Sequence, residues 1–120
     1  MATKYLENAF SLQMLDYSIQ HNVAVSPVTI KEVSESDFVS VIGHQDTAAV
    51  VSTLLGKVVP CHRASIHLDA GDTLFVAQVV GERLPEGATT LPEGFSLTWL
   101  KVTVSYEYPS SEGLFFLFLY

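Results

Sequence analysis

The chain is 120 residues long, 48% hydrophobic and only 16% charged, which fits one globular domain with a real core and excludes both a disordered chain and two ordinary domains. Six Lys and Arg stand against thirteen Asp and Glu, a formal charge of −7, so duplex DNA and long RNA are repelled and any nucleotide ligand must be small and locally held. The lone Cys61 forms no intramolecular disulfide and reads as a small apolar filler, compatible with a reducing cytosol.

In chain order, residues 5–9 read as a short opening strand or turn, and Ser11 is placed to cap a brief helical turn through Leu15. Val23-Ala24-Val25 begins a second extended run, which Pro27 assigns to an edge position because proline cannot donate to a central ladder. Residues 34–38 suggest a loop or a short capped helical turn before a β-branched run at 39–42. From Gln45 to Leu55 the apolar positions Ala48, Val51 and Leu55 recur at helical spacing, with Gly56 as the C-cap. Residues 65–68 alternate, residues 69–72 carry turn chemistry, and residues 73–80 form a β-rich run, which predicts an antiparallel hairpin with its second strand central. Residues 81–94 hold the near-duplicate phrases Leu84-Pro85-Glu86-Gly87 and Leu91-Pro92-Glu93-Gly94, two turns rather than a repeat unit, and residues 95–108 alternate as a long final strand.

These elements predict a small mixed α/β or α+β sheet with helices packed mainly on one face. The high apolar fraction points to a second subunit covering part of the exterior. Residues 1–108 are read as the functional domain. Residues 109–120 end in Gly-Leu-Phe-Phe-Leu-Phe-Leu-Tyr, far short of the roughly 20 residues that cross a bilayer. That tail must be buried, paired with another chain, or foreign to the domain. No basic segment followed by an apolar stretch opens the chain, so a cytoplasmic location is expected and a membrane partner is not.

The chemistry-bearing residues are few. His44 follows a β-branched run that stops at Gly43, just where the helical segment begins, so its imidazole would stand at a helix N-terminus, where outward N–H groups favour an anion such as a phosphate. The chain has two arginines, Arg63 and Arg83, both near loop or strand-end positions and both carrying the planar fork that grips phosphate. His21, His62 and His67 show no metal-ligand spacing with Cys61, and no phosphate-binding glycine loop, Ser-His-Asp order or dinucleotide fingerprint occurs, so no metal or cofactor is expected.

Four phrases in this order resemble the viral ring nucleases, small type III anti-CRISPR proteins that degrade cyclic tetra-adenylate: residues 5–15, Ile42-Gly43-His44-Gln45-Asp46-Thr47, Arg63 before a strand, and residues 78–87 with Arg83-Leu84-Pro85-Glu86-Gly87. The resemblance covers about residues 4–108. It implies a homodimer that encloses the ring between subunits and cuts it, without a metal, into di-adenylates ending in a 2′,3′-cyclic phosphate or 3′-phosphate, silencing type III CRISPR defence. By the matching motifs, His44 is similar to the family's general acid, Arg83 to its phosphate-binding arginine and Glu86 to the acidic residue assisting them. Asn8, Arg63, Gly43 and Gln78 fall at ligand-contacting positions, as does Gln13, where the family often has Asn. If the chain is virus-encoded, the host cytoplasm is its place of action.

The chemistry agrees with that implication. Cleaving RNA without a metal uses the ribose 2′-hydroxyl as nucleophile, leaving the protein to align it with the departing 5′-oxygen and to manage charge and protons. His44 suits the acid because imidazole titrates near neutrality. Two other readings stand beside it: a module that sequesters the same cyclic nucleotide with little turnover, and an interaction protein docking through its apolar final segment.

Overall fold

Residues 2–106 are described in the computed structural model of the chain. Five strands, β1 (Lys4–Glu7), β2 (His21–Pro27), β3 (Val39–Ser40), β4 (Thr73–Val80) and β5 (Ser96–Tyr106), form one mixed sheet in the order β2-β5-β4-β1-β3. Two helices accompany them, α1 (Ile30–Glu35) and α2 (Gln45–Leu55). This is the small mixed α+β architecture that the sequence pattern predicts.

Strand β4 is central, antiparallel to β5 and parallel to β1, which is itself parallel to β3. Its residues alternate between two apolar layers. Phe75 and Ala77 join Leu6 under the helices, packed with Val33 of α1 and Ala48, Val51 and Leu55 of α2. Leu74 and Val76 join Val102, Val104 and Leu68 on the opposite face, which Phe10, Met14, Leu15 and Ile66 cover. A strand buried on both faces reads as a continuous apolar run, which is why residues 73–80 show no clean alternation.

The helix over residues 45–55 starts and stops as its spacing predicts, ended by Gly56 at φ 70°, a left-handed conformation that favours glycine. Ser11 caps a 3₁₀ turn at Leu12–Met14 by accepting the Gln13 N–H, and Pro27 ends the edge strand β2. The twin Leu-Pro-Glu-Gly phrases make twin turns: Ala88 N–H donates to Pro85 O and Phe95 N–H to Pro92 O, each at 3.1 Å, with Gly87 (φ 84°) and Gly94 (φ 87°) at the third position.

Three expectations are corrected. Residues 65–68 pair with no strand, so the expected hairpin with residues 73–80 does not exist; their alternation seats Ile66 and Leu68 on the far sheet layer, and the Leu68 N–H donates to Met14 O (2.7 Å). The loop or short capped helical turn expected at 34–38 lies earlier, as a helix over residues 30–35 that Thr29 caps by accepting the Glu32 N–H (3.1 Å). Cys61 is exposed on an irregular segment rather than filling the core. The final strand is described to Tyr106; the expected boundary at residue 108 and the apolar tail lie outside the described residues. No helix among the described residues is long and apolar enough to cross a membrane.

Candidate functional site

Because β1, β3 and β4 run parallel, their C-terminal ends meet at one end of the sheet, the place where open α/β sheets form ligand crevices. Asn8 stands just beyond β1, Gly43 and His44 lie on the connection from β3 into α2, and Gln78 and Arg83 lie at and beyond the end of β4. They line a cleft of about 640 Å³ together with Ala9, Asp46 and Thr47, a size within the roughly 300–1,000 Å³ typical of small-ligand sites. A second cleft of about 440 Å³ shares Asn8, Ala9, Gly43 and His44 and adds Glu7, Ser11 and Arg63.

His44 occupies the N-cap of α2 with the extended backbone of a capping residue (φ −118°, ψ 124°), yet its side chain makes no capping bond. The imidazole is left exposed between the clefts. The first helical bond runs from Ala48 N–H to His44 O (3.0 Å), so the amides of Gln45, Asp46 and Thr47 precede the helical ladder and point outward at the positive end of the helix dipole. Thr47, only 7% exposed, lines the first cleft.

Each arginine shares a cleft with this histidine, Arg83 the first and Arg63 the second. Arg63 is brought there by backbone pairing, as the neighbouring His62 N–H donates to Ile42 O (2.9 Å) and Ser40 Oγ donates to Pro60 O (2.6 Å). Gly43 makes room for it: a Cβ at that position would lie 3.3 Å from Arg63 Cγ and 3.4 Å from Nε. By contrast, Lys101 pairs with Glu32 (2.8 Å) and Lys57 donates to the Ser34 and Ser36 carbonyls (2.8 and 3.2 Å), both away from the clefts. In a chain of net charge −7, two clefts that share one imidazole and carry one guanidinium each can hold an anion locally.

Glu7 adds the opposite charge to the second cleft. Desolvation by partial burial raises its carboxyl above the ordinary carboxylate value, against the opposing pull of the Asn8 N–H (2.9 Å) and of Arg63.

Of the residues singled out from the sequence, His44, Arg83, Asn8, Gly43 and Gln78 converge on the first cleft and Arg63 on the second. Glu86 and Gln13 line neither: Glu86 is exposed at the corner of the Pro85–Ala88 turn and Gln13 is exposed on the 3₁₀ turn. Asp46 and Thr47 were not foreseen. An acid in the first turn of a helix is a sequence signal for the former; no sequence signal pointed to the latter. Among the described residues, no three His, Cys, Asp or Glu side chains come together as a metal site would need.

The profile of the STIV B116-like family matches residues 4–98. Similar proteins include the uncharacterized protein ORF117 of Acidianus two-tailed virus, 33% identical over 107 residues that span 81% of this chain and 91% of that protein. The uncharacterized protein 26 of a Sulfolobus islandicus filamentous virus is 34% identical over 85 residues, 65% of this chain and 70% of its own. Among solved structures, B116 of Sulfolobus turreted icosahedral virus superposes with a TM-score of 0.69, covering 85% of this chain and 99% of that one; at 21% identity this likeness speaks to the fold alone.

Proposed function

This chain belongs to the STIV B116-like family, whose matched relatives are archaeal virus proteins, and on that footing we propose that it is a metal-independent ring nuclease acting on cyclic tetra-adenylate. The observation that carries the reading is the convergence of His44 and Arg83 on one cleft at the start of α2, with Arg63 in a second cleft that His44 also lines. An imidazole, two guanidiniums and outward helix amides match the needs of a phosphodiester better than those of any neutral ligand.

In the proposed reaction a ribose 2′-hydroxyl attacks its neighbouring phosphorus and loses its proton to solvent, while the P–O5′ bond breaks and the protonated His44 imidazole delivers a proton to the departing 5′-oxygen. The products are a 2′,3′-cyclic phosphate and a 5′-hydroxyl. Arg83 holds the non-bridging oxygens through two parallel charge-assisted bonds and opposes the extra charge of the phosphorane. Cutting at two opposite linkages releases two linear di-adenylates. A cleft of about 640 Å³ holds part of a four-nucleotide ring, so the reading includes a two-fold dimer that presents two such sites to one ring. Destroying this messenger would disarm type III CRISPR defence, a role consistent with relatives in archaeal viruses.

Incubating the purified protein with cyclic tetra-adenylate in EDTA tests the reading. Linear di-adenylate products are expected, and an intact ring after long incubation would overturn it. A second reading, sequestration of the same ring with little turnover, is favoured by one observation: Glu86, the residue expected to assist the acid, lines neither cleft of the single chain. Tight binding with a turnover that His44→Ala leaves unchanged would select that reading.

A further inference from the structure

The segment that carries Arg83 is clipped to α2. Gly87 N–H donates to Asp46 Oδ1 (3.0 Å), and Thr53 Oγ1 donates to Thr89 O (2.7 Å). Asp46 and Thr53 are seven residues apart, two turns along the same side of the helix, so one helix face holds the loop at two points. Between Arg83 and Gly87 the chain has little freedom: Leu84 is buried, Pro85 fixes its own φ, and the Pro85–Ala88 turn is closed by its own bond.

We propose that Asp46 is a positioning residue for Arg83, its carboxylate fixing the turn that sets the guanidinium on the cleft. In a turn with glycine at the third position, that glycine's N–H takes no part in the closing bond, which uses the fourth residue. The Gly87 amide is therefore free to bond outside the turn, and the acceptor it finds is a carboxylate two residues after His44. A single helical turn thus presents the imidazole directly and the guanidinium indirectly. Their relative placement is set by α2 rather than by the long connection from β4 to β5.

The effect on catalysis rests on the ring nuclease reading, while the clip itself does not. Asp46→Ala removes the acceptor; Asp46→Asn keeps an Oδ1 that accepts the same N–H. Backbone ¹⁵N relaxation on the unliganded protein should show the amides of Arg83, Leu84 and residues 86–88 loosening in Asp46→Ala, with faster hydrogen exchange at Gly87, and both staying near wild type in Asp46→Asn. Single-turnover cleavage of cyclic tetra-adenylate should fall by about 10- to 100-fold in Asp46→Ala, mainly in kcat, because a misplacement on the order of 1 Å costs up to about 10² in rate. Asp46→Asn should recover most of that loss. Unchanged order and exchange at residues 83–88 in Asp46→Ala would overturn the clip; a loosened loop with wild-type turnover would overturn its positioning role. If the wild-type protein leaves the ring intact, the nuclease reading fails alone, and the relaxation and exchange data still decide whether Asp46 orders the Arg83 loop.

Discussion

Replacing His44 with asparagine should make the protein more stable and, on the proposed ring nuclease reading, nearly inactive. The N-cap of α2 has the backbone conformation of a capping residue, but its occupant makes no side-chain bond to the helix and is exposed, so replacing the ring costs the helix no capping bond. Asparagine ranks among the best N-caps, and a capping bond to the Asp46 or Thr47 amide contributes about 1 kcal/mol. For a domain of this size that raises the melting temperature by roughly 3–5 °C. Asparagine cannot supply a proton, so cleavage should fall by roughly 10²–10⁴, the usual worth of general acid–base assistance. That corresponds to about 2.7–5.5 kcal/mol of barrier, several times the stability gain and opposite in sign. Scanning calorimetry paired with single-turnover cleavage of cyclic tetra-adenylate separates the two effects. A lower melting temperature would mean that the imidazole supports the fold, and retained turnover would remove it from the chemistry.

Three further outcomes follow from the same geometry. Arg83→Lys keeps the charge but loses the planar fork, and turnover should drop by about 10² in single-turnover assays, the scale of losing one preorganised donor, with little change in melting temperature; equal rates would show that charge alone suffices. Gly43→Ala sets a methyl 3.3 Å from Arg63 Cγ without backbone strain, so the flexible side chain yields and ring affinity should weaken by roughly tenfold, the worth of about one charge-assisted bond, while the fold is kept; undiminished affinity in titration calorimetry would mean that Arg63 does not hold the ligand. Glu7 has a raised carboxyl, so the folded state binds its proton more tightly than the unfolded one, and this contribution is present below the ordinary value of 4.5 and lost as pH rises through the folded value. Glu7→Gln should therefore gain stability relative to wild type as pH climbs through that window in chemical denaturation, and a relative loss would reverse the assigned sign.

Local features were legible in the sequence and long-range pairing was not. Helix α2 announced itself through apolar spacing ended by Gly56, the twin turns through Leu-Pro-Glu-Gly, and the edge strand through Pro27, since each rests on residues within a few positions of one another. Helix α1 leaves only a faint local signal: Thr29 and Glu32 have capping-box spacing, but six residues make too short a helix for periodicity to register. The hairpin expected from residues 65–68 failed for a different reason. The alternation of Ser65-Ile66-His67-Leu68 is real, but it serves to seat two side chains on a sheet layer, while the edge of β4 is taken by β1 from far along the chain, Lys4 opposite Thr73.

The parallel pairing of β4 with β1 shapes the candidate site itself. A hairpin would have left β4 beside its own sequence neighbour, with no reason for its exit to lie near those of β1 and β3. Parallel pairing brings three strand exits to one end of the sheet, so Asn8, His44 and Arg83, spread over 76 positions of sequence (83 − 8 + 1), line a single cleft. Composition narrows what such a cleft can take: with a net charge of −7 the molecule repels extended polyanions, whereas a small anion lies closer to Arg63, Arg83 and the α2 amides and feels less of that repulsion. The motif residues were visible one by one, but their convergence is a property of topology, and it is topology that turns an ill-suited N-cap into a candidate acid.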